Sequence, residues 1–201
     1  MRKSTWFVIL SVFLGCQSGE VEDLAPKDRM EQAGPIIEEM FANLAGNPLV
    51  AQLWKEISLG TVRVDWGMSG NVVAGFNRDG GRETLLLNER YVRLAMGSDA
   101  ERQRVGTYLV HEAVHHRQYH DHPLAPEIAS CADWWLAERE AYEEQCSYAR
   151  SSDVEAMFRK TCSTDHPDVF RHNLLIRLLH SGIDSRGAGC RSEFSALAEL
   201  D

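Results

Sequence analysis

The sequence predicts an α+β domain, mainly helical, with a small antiparallel β-sheet packed on one central helix. Three observations carry this reading. Most of the chain repeats apolar residues at helical spacing, one stretch between Val62 and Asn88 switches to alternation, and residues 98–119 are apolar around much of a helical circumference. With 201 residues, 44% of them hydrophobic and 25% charged, the composition suits one globular domain behind a targeting segment.

The amino terminus comes first. Arg2 and Lys3 precede an uncharged, largely apolar run over residues 6–15, too short to span a bilayer as a helix but suited to the centre of a secretory signal. The run ends in Phe13-Leu14-Gly15-Cys16, which resembles the bacterial lipoprotein signal, where cleavage falls before a cysteine that becomes lipid-modified. That resemblance implies a signal peptide over residues 1–15, acylation of Cys16 and a place in the cell envelope. Gln17 rather than Asp after the cysteine implies sorting to the outer membrane, facing the periplasm or the cell surface. Loss of Arg2 and Lys3 takes the formal charge from −9 to −11, and with no basic stripe this argues against a nucleic-acid partner. Residues 17–33 are polar and acidic without an apolar period and read as a flexible tether, leaving 34–201 as a single domain.

The domain then unfolds element by element. Pro35 suits a first helical turn, followed by Ile36, Ile37, Met40, Phe41 and Leu44 at helical spacing up to Gly46. Asn47-Pro48 starts a second helix with Leu49, Leu53, Trp54 and Ile57 on one face, and Gly60 ends it. Val62, Val64 and Trp66 alternate with Arg63 and Asp65 as in a half-buried strand. Residues 71–77 and 83–88 read as two further strands, giving an antiparallel meander. Ser98 and Glu101 form a capping box that opens a helix to about Tyr119, and residues 133–149 form a second long helix. Val154, Met157 and Phe158 suggest a short helix ending near Cys162. Leu174, Leu175, Leu178 and Leu179 suggest another.

Without Cys16, four cysteines remain: Cys131, Cys146, Cys162 and Cys190. An even number in an exported chain points to two disulfides. Cys131 and Cys146 are separated by what reads as one helix, roughly 20 Å apart at 1.5 Å per residue, which is beyond disulfide reach. The reading is Cys146 with Cys162, closing a helical hairpin, and Cys131 with Cys190.

The chemistry gathers at His111-Glu112-Ala113-Val114-His115 on the central helix. Residues four apart lie on one helical face, so two imidazoles can grip one metal ion, and an adjacent glutamate can take a proton from a metal-activated water. The chain's own composition yields such a pentad by chance only about 0.03 times. The motif resembles that of the zincin metallopeptidases, which implies Zn2+ as cofactor, His111 and His115 as ligands and Glu112 as general base. In that family a small sheet packs on the metal-bearing helix, and its edge strand pairs with an extended peptide substrate. The metzincin continuation needs a glycine where this chain has Gln118, which leaves Asp121 a minor candidate ligand. The downstream Glu138-Arg139-Glu140-Ala141-Tyr142 instead resembles the gluzincin ligand helix, implying Glu138 as third ligand, with Glu140 as the alternative. Tyr142 stands where that family commonly places an aspartate. Glu138 and Glu140 point about 200° apart around a helix, so only one can face the histidines. His116, His120 and His122 read as solvated or lining residues, and His172, His180, Tyr142 and Tyr148 as candidate oxyanion stabilisers.

Together these readings describe a lipid-anchored zinc metalloendopeptidase acting on a peptide or protein substrate. The alternative is an envelope lipoprotein that binds zinc without turnover or serves a structural role.

Overall fold

The computed structural model describes residues 26–68, 70, 72–79, 81–121, 131–152 and 162. The signal sequence, Cys16, Gln17, His122, the helices expected near 154–161 and 174–179, His172, His180 and Cys190 lie outside the described residues.

The elements run α1 (Pro26–Asn43), α2 (Pro48–Ser58), β1 (Val62–Asp65), β2 (Ala74–Asp79), β3 (Arg82–Leu87), α3 (Glu89–Gly97), α4 (Asp99–Asp121) and α5 (Cys131–Ser151). The α+β class with a mostly helical chain is as the sequence predicts. α1 begins at Pro26, well before the expected start at Pro35, which lies inside it. The second helix is well signalled. Asn47 Oδ1 accepts from the backbone of Leu49 at 3.0 Å and of Val50 at 3.2 Å, with Pro48 in the first turn, where its missing N–H costs nothing. Phe41 of α1 stacks on Trp54 of α2, ring centroids 4.7 Å apart.

The sheet departs from a meander. Its order is β1-β3-β2, with β2 antiparallel to β3 but β1 parallel to it, so the sheet is mixed and not antiparallel throughout. The cause lies in the connections. β2 and β3 are joined by a tight turn in which Gly81 takes φ +86°, a conformation that penalises a side chain. Between β1 and β2, by contrast, residues 66–73 are long enough to carry the chain past β3 to its far side. β3 thus becomes the central strand, with Leu85 and Leu87 fully buried.

α3 is a helix that the alternation-based reading leaves without an element. Its signals are nonetheless local: Asn88 caps it by accepting from Arg90 N at 3.1 Å, and Tyr91, Val92 and Ala95 bury one face. Asn88 Nδ2 also donates to Val72 O at 2.6 Å, fastening the helix start to the strand region. At α4, Ser98 Oγ accepts from Glu101 N at 3.4 Å, but the Glu101 carboxylate pairs with Arg104 at 2.7 Å instead of reaching back, so only half of the capping box forms.

α4 is the axis of the fold. Every residue from Val105 to His116 is buried, and α2, α3, α5 and β2 pack around it. A helix buried all round must place its polar side chains against one another, which gives its histidines and glutamate a specific geometry. Among the described residues no helix is long and apolar enough to cross a membrane.

Cys146 and Cys162 form a disulfide, Cα atoms 5.2 Å apart. Cys131 and Cys146 lie on the same helix, as expected, and Cys131's proposed partner is outside the described residues. The bridge spans 16 residues, so Cys162→Ser is expected to cost about 3 kcal/mol in a urea unfolding experiment.

Candidate metal centre

His111 and His115 lie one helical turn apart on α4, and their Nε2 atoms converge to 3.0 Å. The third group comes from α5. Glu138 Oε2 lies 3.5 Å from His111 Nε2, and its Oε1 lies 3.6 Å from His115 Nε2. Donors held tetrahedrally at zinc distances of about 2.0–2.1 Å stand roughly 3.3 Å from one another. The three observed separations bracket that value. Two imidazoles and a carboxylate are also a donor set that suits zinc, so these residues fit the metal.

Glu140 faces elsewhere. It accepts from Arg117 Nη2 and Gln118 Nε2, both at 2.6 Å, on the exposed side of α5. The 200° offset between the two glutamates is thus used in full: one is buried with the histidines and the other binds the α4 surface. Asp121 is largely exposed, 4.0 Å from Arg117, and does not join the histidines.

Gln118 has a larger part than its place in a motif suggested. Its Nε2 donates to Ala137 O at 3.1 Å and to Glu140, which turns its carbonyl oxygen toward His115 Nδ1, 2.9 Å away. That oxygen can only accept, so Nδ1 carries the proton and Nε2 presents a lone pair to the centre. The signal was available in the sequence as a polar residue three places beyond His115, on the same helical face. Gln118→Ala is therefore expected to weaken zinc binding about 10- to 100-fold in a chelator competition titration.

Tyr142 packs against His111 in a T-shaped arrangement, centroids 4.6 Å apart, and restrains that imidazole by ring contact. Gln145 lies beside His111 and donates to Thr107 Oγ1 at 3.3 Å. Tyr148 is ten residues beyond Glu138, roughly 15 Å along α5, and lines a surface groove with Asn47 and Pro48.

The electrostatics follow from burial. His111, Glu112, His115 and Glu138 are each no more than 2% exposed. Burial drives the His111 imidazole down to about 3, partly offset by Gln145. It drives His115 down to about 4, with Glu138 pulling the other way. Both rings are thus neutral at physiological pH, the form that binds a metal. Glu112 is raised well above the usual carboxylate range by burial and then by the negative charge of Glu138, while the backbone of Phe76 on β2 favours its ionised form.

Sequence spacing placed His116 and His120 among solvated or lining residues. His116 is instead buried, with its Nε2 3.1 Å from Glu56 Oε2, because α4 is covered on this face by α2 and the sheet. His120 is half exposed and leans on the same carboxylates. Glu56 and Glu83, in a helix and a strand far from these histidines in sequence, carry no sequence signal that would have linked them to these histidines. No family model matches this chain, and no curated protein or solved structure matches it.

Proposed function

We propose that this chain is a zinc-dependent metallopeptidase of zincin type, with His111, His115 and Glu138 holding the metal and Glu112 as general base. One observation supports this above all: two imidazole nitrogens and a carboxylate converge to 3.0–3.6 Å, and a second buried carboxyl, that of Glu112, lies near enough to Glu138 to feel its charge. Zinc, when bound, supplies Lewis acidity that acidifies water and polarises a peptide carbonyl. The chain's own residues do the rest. Glu112, with its raised proton affinity, takes a proton from water and returns it to the leaving amine. Gln118 and Tyr142 hold His115 and His111 in orientation, and the packed helices α4 and α5 keep the centre dry. The lipoprotein-like run ending at Cys16 supports an envelope location on an acyl anchor, with a peptide or protein substrate met there.

Burial favours a second reading, in which the same residues hold zinc without turnover. Glu112 is fully enclosed, as a structural metal centre would have it. A peptide library separates the two. Cleavage by the zinc-loaded chain, lost on chelation and restored by zinc, is expected from a peptidase. A stoichiometric zinc with no cleavage in any pool supports the non-catalytic reading.

A further inference from the structure

Helix α4 carries two histidine pairs at a spacing of four, offset by five residues: His111 with His115, and His116 with His120. The offset turns the second pair about 140° around the helix, onto the face covered by α2 and the sheet. There it meets a carboxylate from each. His116 Nε2 lies 3.1 Å from Glu56 Oε2 and 3.8 Å from Glu83 Oε2. His120 Nε2 lies 3.5 and 3.4 Å from the same two oxygens. One ligand atom from each of the four residues falls within 4.8 Å of all the others.

The two carboxylates are prepared in the same way. Gln52 donates to Glu56 Oε1 at 2.7 Å, leaving Oε2 toward the histidines. Arg78 lies 3.6 Å from Glu83 Oε1, and Glu83 Oε2 turns inward. That inner oxygen is sealed from solvent and has no hydrogen-bond partner, on a residue only 6% exposed. A buried carboxylate oxygen aimed at two imidazoles and left without a donor is costly unless a cation completes it.

We infer that Glu56, Glu83, His116 and His120 form a second site for a divalent metal ion, of zinc type by its imidazole and carboxylate donors. Imidazole–carboxylate separations of 3.1–3.8 Å, with all four ligand atoms within 4.8 Å of one another, suit a closed shell of four protein ligands, which is the structural class of zinc site. Its effect is mechanical. One ion would join α2, β3 and the end of α4, bracing the helix that carries His111 and His115 from the opposite side. This inference stands apart from any catalytic role of the first centre.

The test is zinc content by equilibrium dialysis at pH 7.5, with circular dichroism confirming the fold of each chain. The expected values are two zinc ions per wild-type chain, one for His111→Ala/His115→Ala, one for Glu83→Gln/His120→Ala, and none when all four changes are combined. Because His120 is half exposed, His120→Ala alone gives a gentler variant. Added to the His111→Ala/His115→Ala chain, it is expected to abolish the visible absorption of bound Co2+ at tetrahedral intensity. A His111→Ala/His115→Ala chain that folds and holds no zinc overturns the second site, whatever the wild type binds. So does a Glu83→Gln/His120→Ala chain with unchanged zinc content, which would mark the cluster as histidine–carboxylate pairing alone.

Discussion

Glu138→Ala is expected to lower zinc affinity about a hundredfold or more, whereas Glu140→Ala leaves it within about threefold. Structural zinc sites bind with roughly 10–16 kcal/mol, so one ligand in four accounts for on the order of 3 kcal/mol, or about two decades in affinity. Glu138 stands 3.5 and 3.6 Å from the two imidazoles and is buried with them. Glu140 touches the centre only through Gln118, which keeps its bond to Ala137 O when Glu140 is removed. Chelator competition in a His120→Ala background reads the first centre alone. Equal loss in both variants would mean that α5 is held by its surface contacts and that Glu138 does not ligate.

The second large effect falls on Glu112. Glu112→Gln is isosteric and is expected to keep its zinc while lowering kcat for peptide hydrolysis by about 10²–10⁴, the usual contribution of a general base. The same change has a signature in the metal-free fold. Burial and Glu138 raise the folded-state pKa of Glu112, so the unfolded chain releases this proton first as pH rises above the ordinary carboxylate value of 4.5. Glu112 therefore favours folding below that value and loses its contribution as pH rises toward the folded pKa. The glutamine does not titrate, so the stability of Glu112→Gln relative to wild type is expected to grow as pH rises above 4.5 toward the folded-state pKa of Glu112, measured by urea midpoints in the presence of a chelator. A constant difference would show that Glu112 ionises as readily in the fold as outside it.

The helices that carry the chemistry were legible in the sequence because their signals are local. Apolar spacing and the Ser98 cap place α4, the His111 to His115 interval fixes two groups on one face, and the helical period makes Glu138 and Glu140 mutually exclusive. Which glutamate turns inward depends on how α5 rotates against α4, and that is decided by contacts 20 or so residues apart, such as Gln118 with Ala137. The sheet order was illegible for a similar reason. Alternation identifies strands, but only the crossing of residues 66–73 tells β3 that it is central and that β1 runs parallel to it. His116 shows the same limit most sharply. Nothing near it in sequence announces Glu56, sixty residues earlier, or Glu83 on the sheet, so a residue that reads as solvated or lining at the start of a polar run is in fact enclosed.

Anomalous diffraction at the zinc edge, from crystals of the zinc-loaded chain, tests the metal centre most directly. The expected map has a peak about 2.0–2.2 Å from His111 Nε2, His115 Nε2 and a Glu138 carboxylate oxygen, with Glu112 beside it and not bonded to it. A zinc-loaded crystal in which those three side chains bind no metal would contradict the assignment.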